Sequence, residues 1–354
     1  MPDQFYHMIF SSKLIISFFL AVPFFIHKDP EFSKQPEVQI LTSGTKTSIR
    51  GLSVVNDNVV WVSGSHGTVG KTTDGGKTWD WMRVDGFEKS DFRDIEAFDG
   101  ATAVIMAVAE PAYILKTNDG GKTWKVVYEN KTKGMFLDAM EFWNEQAGIV
   151  VGDPINGKFF ITRTFDGGDT WQDIPFDKRP DADSGEACFA ASGTNIRPLD
   201  RDEVVFVSGG TMSRLFTKNA PEVLPLIQGK ETTGANSVAV WDNKKLNGGK
   251  KMIVVGGDFN NASSNEKNCY YTNDGGKTWN APDTPPHGYR SCVEYISKNS
   301  LVSCGLNGVD YSSDAGQDWK WISKESFNVC RASKIGTAFY LAGNNGTIGK
   351  LTWK

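Results

Sequence analysis

Histidine is scarce in this chain: 354 residues contain four, and two of them, His7 and His27, lie in or beside an apolar leader. The other two, His66 and His287, have no partner at metal-ligand spacing. Five cysteines are present, Cys188, Cys269, Cys292, Cys304 and Cys330, with no Cys-x-x-Cys pair. That excludes a zinc ribbon and a thioredoxin-like redox motif. Cys292 and Cys304 are placed to meet across adjacent strands, but buried small hydrophobes are the better reading of all five. No cofactor fingerprint occurs either, since Gly256-Gly257-Asp258 lacks the strand-loop-helix setting of a nucleotide cradle. Neither a metal nor a cofactor is expected. An excess of basic charge is also missing: 38 Lys and Arg face 42 Asp and Glu, a net of -4. Nucleic-acid binding, which needs a concentrated basic surface, is therefore not expected.

Long apolar runs are confined to the amino end. Lys13 precedes Leu14 to Ile26, interrupted only by Ser17 and Pro23, and His27, Lys28 and Asp29 end the stretch. It is short for a membrane span of roughly 20 residues and suits a signal-peptide core. Residues 1–30 read as a signal peptide or short membrane anchor, 31–37 as a linker and 38–354 as the folded domain. The expected location is outside the cytoplasm: periplasmic, cell-envelope-associated or secreted. An uncleaved leader would add peripheral membrane association.

What the sequence has in quantity is glycine, tryptophan and a recurring phrase. Thr72-Thr73-Asp74-Gly75-Gly76-Lys77-Thr78-Trp79 returns around Asp119, Gly121 and Trp124, then around Asp166, Gly168 and Trp171. Further copies carry Asp274, Gly276 and Trp279, and a degraded one carries Asp314, Gly316 and Trp319. The aspartates are 45, 47, 108 and 40 residues apart, so the long interval holds two repeats, one without the phrase. In each copy the carboxylate can accept backbone N–H groups of its own turn. Glycine supplies the positive backbone angle, and tryptophan supplies an apolar plate between neighbouring sheets. Upstream of the phrases, seven β-like runs end mostly in glycine, as in Val59 to Gly64, Ala147 to Gly152 and Met252 to Gly256. The period is about 46 residues, which matches a propeller blade. The expected fold is all-β: a seven-bladed β-propeller with four-stranded antiparallel blades. The terminal repeat stops at Trp353 without an outer strand, and Val38 to Leu41 can supply it and close the ring. Innermost strands are expected near Arg50–Val55, Phe92–Ile95, Phe136–Ala139, Ala187–Ala190, Ser237–Val240, Tyr289–Val293 and Val329–Ala332.

On these phrases the chain resembles the tandem Asp-box (BNR-like) propellers, particularly the photosystem II stability and assembly factor-like family, over roughly Val38 to Trp353. The resemblance implies a non-enzymatic seven-bladed propeller, some members of the family acting in membrane-complex assembly. It assigns the Asp boxes to blade turns away from the ligand-binding mouth. Asp boxes also occur in sialidases and other glycosidases, so they identify architecture and not chemistry.

Arg50, Arg93, Arg290 and Arg331 recur in or beside the innermost strands of separate blades and are the candidate partner-binding residues. Guanidinium groups converging on one mouth would bind carboxylates through forked, charge-assisted hydrogen bonds. Arg163 and Arg214 could enlarge the patch. The competing reading has the arginines pairing with Asp94, Glu96 or Glu294. Asp91, Glu110, Asp153, Glu186 and Asp258 lie near strand ends, where a carboxyl pair could serve glycosidic cleavage. However, no sialidase Phe-Arg-Ile-Pro signature is present, since the chain reads Phe92-Arg93-Asp94-Ile95. The polar insertions Asp177 to Glu186 and Asn260 to Asn268 are expected to tune recognition. The leading expectation is an exported, non-enzymatic propeller binding a protein or assembly intermediate through its central mouth. A module binding an acidic glycan and a sialidase-like glycoside hydrolase are the alternatives.

Overall fold

The computed structural model describes residues 35–353 except positions 201 and 247, so the predicted leader lies outside the described residues. Seven sheets follow one another around an axis. Blade 1 shows the plan. Its innermost strand Ile49–Val54 pairs with Val60–Gly64, then with Thr68–Thr72, then with the outer strand Asp80–Arg83, all antiparallel. The second strands Val60–Gly64 and Ala103–Ala107 are built largely from β-branched, aromatic and small residues and are buried on both faces because blades pack face to face.

Closure occurs as the repeat count predicts. Glu37–Thr42 pairs with Ile348–Thr352, with Val38 opposite Leu351, and becomes the outer strand of blade 7. The first and last segments are thus locked by backbone hydrogen bonds, and no terminal sheet edge is left open.

The phrase forms the turn between the third and outer strands. In blade 1, Asp74 Oδ1 accepts the hydroxyl of Thr72 (2.8 Å) and the backbone N–H of Thr78 (3.0 Å). The Thr78 hydroxyl donates to Asp74 Oδ2 at 2.6 Å, and the Gly76 N–H donates to the Thr72 hydroxyl at 3.0 Å. The same bonds recur around Asp119, Asp166 and Asp274, and Asp314 keeps most of them. The tryptophans lie in the seams between blades. Trp124 meets Trp61 of blade 1 edge to face at 6.5 Å, and Trp171 shares an apolar cluster with Val104 and Met106 of blade 2.

Blade 4 departs from expectation. Its innermost strand is Ile196–Pro198, not Ala187–Ala190. Glu186–Ala187 instead pairs with Gly209–Gly210, which extends the blade-5 sheet at Gly234. The apolar run Ala187 to Ala191 looks like a strand in sequence, yet a deeper site in the channel claims it, as described next.

Candidate functional site

One irregularity recurs on the innermost strands and sets the mouth of the channel. Register shifts skip a single residue in blades 1, 2, 3 and 5, and the skipped residues are Arg50, Arg93, Asp138 and Asn236. A bulge re-aims the side chain it carries. Here four bulges put two guanidinium groups, a carboxyl and an amide at corresponding positions of four blades. The second strand gives way at the same level. A Cβ on Gly64, Gly152 or Gly256 would collide with the carbonyl oxygen of Ser48, Phe136 or Gly234 respectively. The glycines that end the β-like runs are therefore where the backbone of the bulged strand passes.

Below the mouth the channel is filled. The connection from blade 3 to blade 4 runs inward, and Ala190 to Arg197 are buried without a break. This plug is tied to most of the ring. Arg50 Nη1 of blade 1 donates to the Ala191 carbonyl (3.2 Å), and Arg331 Nη2 of blade 7 donates to that of Gly193 (3.1 Å). The Ser192 hydroxyl donates to the Ser291 carbonyl of blade 6 at 2.8 Å, and the Thr194 hydroxyl donates to Ser237 of blade 5 at 2.6 Å. The Cys188 N–H donates to Asp153 of blade 3 at 2.9 Å. Small polar residues suit this role, since each backbone and hydroxyl group must find a partner once water is excluded. The insertion expected to tune recognition at the surface thus leads into the segment that closes the channel floor.

The four predicted arginines divide. Arg290 is wholly buried, its Nε donating to Asp310 at 2.6 Å and its Nη2 pairing with the same carboxylate, while Nη1 donates to Asn307 at 2.5 Å. That guanidinium is spent inside blade 6. Arg331 lies in mid-channel, 2.9 Å from Glu141 and 3.7 Å from Glu294. Arg197, which the sequence analysis did not single out, holds the same two carboxylates at 2.5 and 2.9 Å. Two cations and two anions from blades 3, 4, 6 and 7 therefore neutralise one another, as the competing reading proposed for Glu294. Further along, Lys334 reaches Glu96 at 2.5 Å.

Arg50 and Arg93 remain at the mouth. Arg93 donates to Asp91 at 2.7 Å with both side chains about 30% exposed, and its guanidinium stands 5.6 Å from the Phe136 ring centre. Arg50 forms no ion pair among the described residues. Its affinity for its proton is lowered by burial and by the positive charge of Arg93. Phe189 and Phe259 meet edge to face at 5.8 Å, and Phe259 approaches Tyr289 at 6.3 Å. The Tyr289 hydroxyl donates to the bulged Asn236 at 2.8 Å.

Arg163 and Arg214 do not join this mouth. The Arg163 guanidinium lies against Trp143 and Phe165, and Arg214 is engaged by Glu186. The predicted carboxylates are dispersed among structural tasks. Glu110 accepts the Gly134 N–H at 2.8 Å and Asp258 accepts the Asn260 N–H at 3.0 Å. Glu186 takes Arg214 and the Ser208 hydroxyl. Glu186 shares Arg214 with Asp183, and Asp153 neighbours the bulged Asp138. Burial, then the charge of Asp153, pushes Asp138 well up, and burial raises Asp153 to about 6. Both oxygens of Asp138 are buried, so this pair faces the protein interior and the plug. A cavity of about 600 Å³ lies away from the mouth in the seam of blades 3 and 4, against Ile161, Val204, Phe206 and Phe216. Blade 4 is the blade without the Asp phrase and its tryptophan.

Comparison with known proteins agrees with this geometry. The family model for photosynthesis system II assembly factor YCF48 matches residues 31–135, and the BNR/Asp-box repeat matches residues 270–281. The chain is a seven-bladed propeller that carries tandem Asp-box turns. Among solved structures, this Asp-box propeller is similar to YCF48 bound to D1 peptide, at 16% identity and a TM-score of 0.64, over 90% of this chain and 97% of the other. YCF48 from Cyanidioschyzon merolae gives 16% and 0.63, over 89% and 98%. The Pan2 WD40 domain of Neurospora crassa gives 10% and 0.56, over 87% and 89%. No curated protein matches this sequence. At such identities the solved structures bear on fold alone. The resemblance to the photosystem II assembly factor-like propellers holds in the first third of the chain and in the blade plan throughout.

Proposed function

We propose that this propeller is an exported, non-enzymatic assembly-type factor that recognises an acidic or carboxylate-bearing segment of a partner protein at its mouth. One observation carries the reading: matching bulges present Arg50 and Arg93 close enough to repel, and Asp91, whose charge acts on both, is bonded to Arg93 and leaves Arg50 without an ion pair among the described residues. Two like charges held together cost free energy unless an anion joins them. A carboxylate placed between them would gain charge-assisted bonds and relieve the repulsion. Phe136, Phe189 and Phe259 supply apolar contact beside that charge. The match to the YCF48 family model, and a similar fold that holds a peptide, support a protein ligand in preference to a glycan. Arg290 and Arg331 act from inside the fold and shape the mouth without touching the partner.

The test starts with crosslinking in the native source to identify the partner, followed by titration of a purified partner peptide. Replacing both Arg50 and Arg93 by alanine should weaken binding at least about tenfold at a temperature where the variant, which also loses the bond from Arg50 to the plug, is still folded. Unchanged affinity would remove the mouth from the account, and selective retention of an acidic oligosaccharide would favour the glycan-binding alternative. Cell fractionation with and without residues 1–30 checks export.

A further inference from the structure

Cys330 joins Cys292 and Cys304, the pair expected to meet across adjacent strands, between blades 6 and 7. Cys292 and Cys304 face each other in register on the innermost and second strands of blade 6, and Cys330 sits on the innermost strand of blade 7. All three are fully buried. Their sulfur atoms lie within 4.8 Å of one another, with Cys292 and Cys330 3.6 Å apart. Three thiolates at about 2.3 Å from one ion in a common plane stand roughly 4 Å apart. The triangle already has that size.

We propose that Cys292, Cys304 and Cys330 form a three-thiolate site for a soft monovalent metal ion of the Cu(I) class. The number of donors separates this from zinc. Tetrahedral zinc needs a fourth ligand, and among the described residues no histidine, carboxylate or further cysteine joins the group. The neighbouring polar side chain is Thr194 of the plug, whose hydroxyl lies 3.6 Å from Cys292 Sγ. Soft sulfur donors without a hard oxygen ligand select Cu(I). The surroundings also suit sulfur carrying negative charge. The Cys330 N–H points at Cys292 Sγ (3.4 Å), whose thiol proton is directed to the Cys330 carbonyl at 3.3 Å, and Arg331 contributes a nearby positive charge. Each thiol that ligates releases its proton to water, and no electron is transferred when the ion arrives as Cu(I). The site does not depend on the mouth or on what binds there.

The experiment titrates the full chain, reduced and oxygen-free, with Cu(I) against a chromogenic Cu(I) chelator while sulfur-to-copper absorption in the ultraviolet is followed. One ion per chain should be taken up, and the melting midpoint of the wild-type protein should rise with Cu(I) and not with Zn(II). Cys292→Ser and Cys330→Ser should each weaken uptake by about tenfold or more. Cys188→Ser and Cys269→Ser, which remove the other two buried thiols, should leave it unchanged. The wild-type melting shift keeps the test decisive if a serine variant fails to fold. Absence of both uptake and the shift, uptake only by the unfolded chain, or a Cys292–Cys330 disulfide in the isolated protein would each overturn the assignment.

Discussion

Arg331 Nη1 lies 2.9 Å from Glu141 Oε1, joining the innermost strand of blade 7 to that of blade 3 across the channel. The contact exists because the ring is closed, and Arg197 and Glu294 complete it from blades 4 and 6. Charge at the centre of this propeller is therefore consumed in holding the blades around one plug.

Arg197→Met should test that role. The change leaves Glu141 and Glu294 sharing Arg331 alone in a buried setting, where losing one partner of an ion pair costs about 3–5 kcal/mol. A urea midpoint lowered accordingly is expected, and a shift equivalent to less than about 1 kcal/mol would mean that the carboxylates are satisfied without Arg197.

The Asp boxes predict acid sensitivity. Hydrogen bonds from Thr123 to Asp119, and from Thr278 to Asp274, hold both carboxyls down at about 2, against an ordinary value of 3.8. A depressed folded value stabilises the fold above the unfolded pKa and is lost as pH falls through the folded one. The melting midpoint should fall between pH 3.8 and about 2. Asp119→Asn together with Asp274→Asn should flatten that decline and lower the midpoint at neutral pH.

Asp153 predicts the opposite slope. Burial raises its carboxyl from 3.8 to about 6, so the folded protein keeps a proton that the unfolded chain releases. Its contribution is fully present below the unfolded value and is lost as pH climbs through the folded one. The Asp153 contribution to stability should decline from about pH 4 through about pH 6. Asp153→Asn, which can still accept the Cys188 N–H, should remove this slope and raise the melting midpoint above pH 6.

Gly256→Ala should be severe, because its Cβ would enter the space of the Gly234 carbonyl beside the Asn236 bulge. Overpacking against backbone costs typically about 1–3 kcal/mol or more. Gly100→Ala is the control: a Cβ there meets nothing within 4 Å, and thermal melting should show little change.

The blades were readable because their signals are local. An Asp box writes its carboxylate, hydroxyls and glycines within eight residues, and Asp74, Asp119, Asp166, Asp274 and Asp314 bond inside their own turns. Ring closure could likewise be counted, from a last repeat that lacks one strand and a first segment that has one to spare. Blade 4 shows the limit. Ala187 to Ala191 has strand-like composition, and only the channel, built by the other blades, gives that segment a more favourable place.

Arg93 and Arg290 show the same division at the site. In sequence both are arginines at the start of an innermost strand, and nothing nearby separates them. In the folded chain Asp310, two strands further on, neutralises Arg290 completely, whereas Arg93 shares a partly exposed Asp91 and faces the mouth. That Cys330 joins Cys292 and Cys304 was equally hidden, since it needs a blade-to-blade contact as well as the strand pairing. Repeat number, turn chemistry and closure were determined by the sequence alone, because each follows from interactions among near neighbours or from counting. Which charges face water and which face one another was decided by the tertiary structure, because burial and pairing depend on residues that only the closed ring brings together.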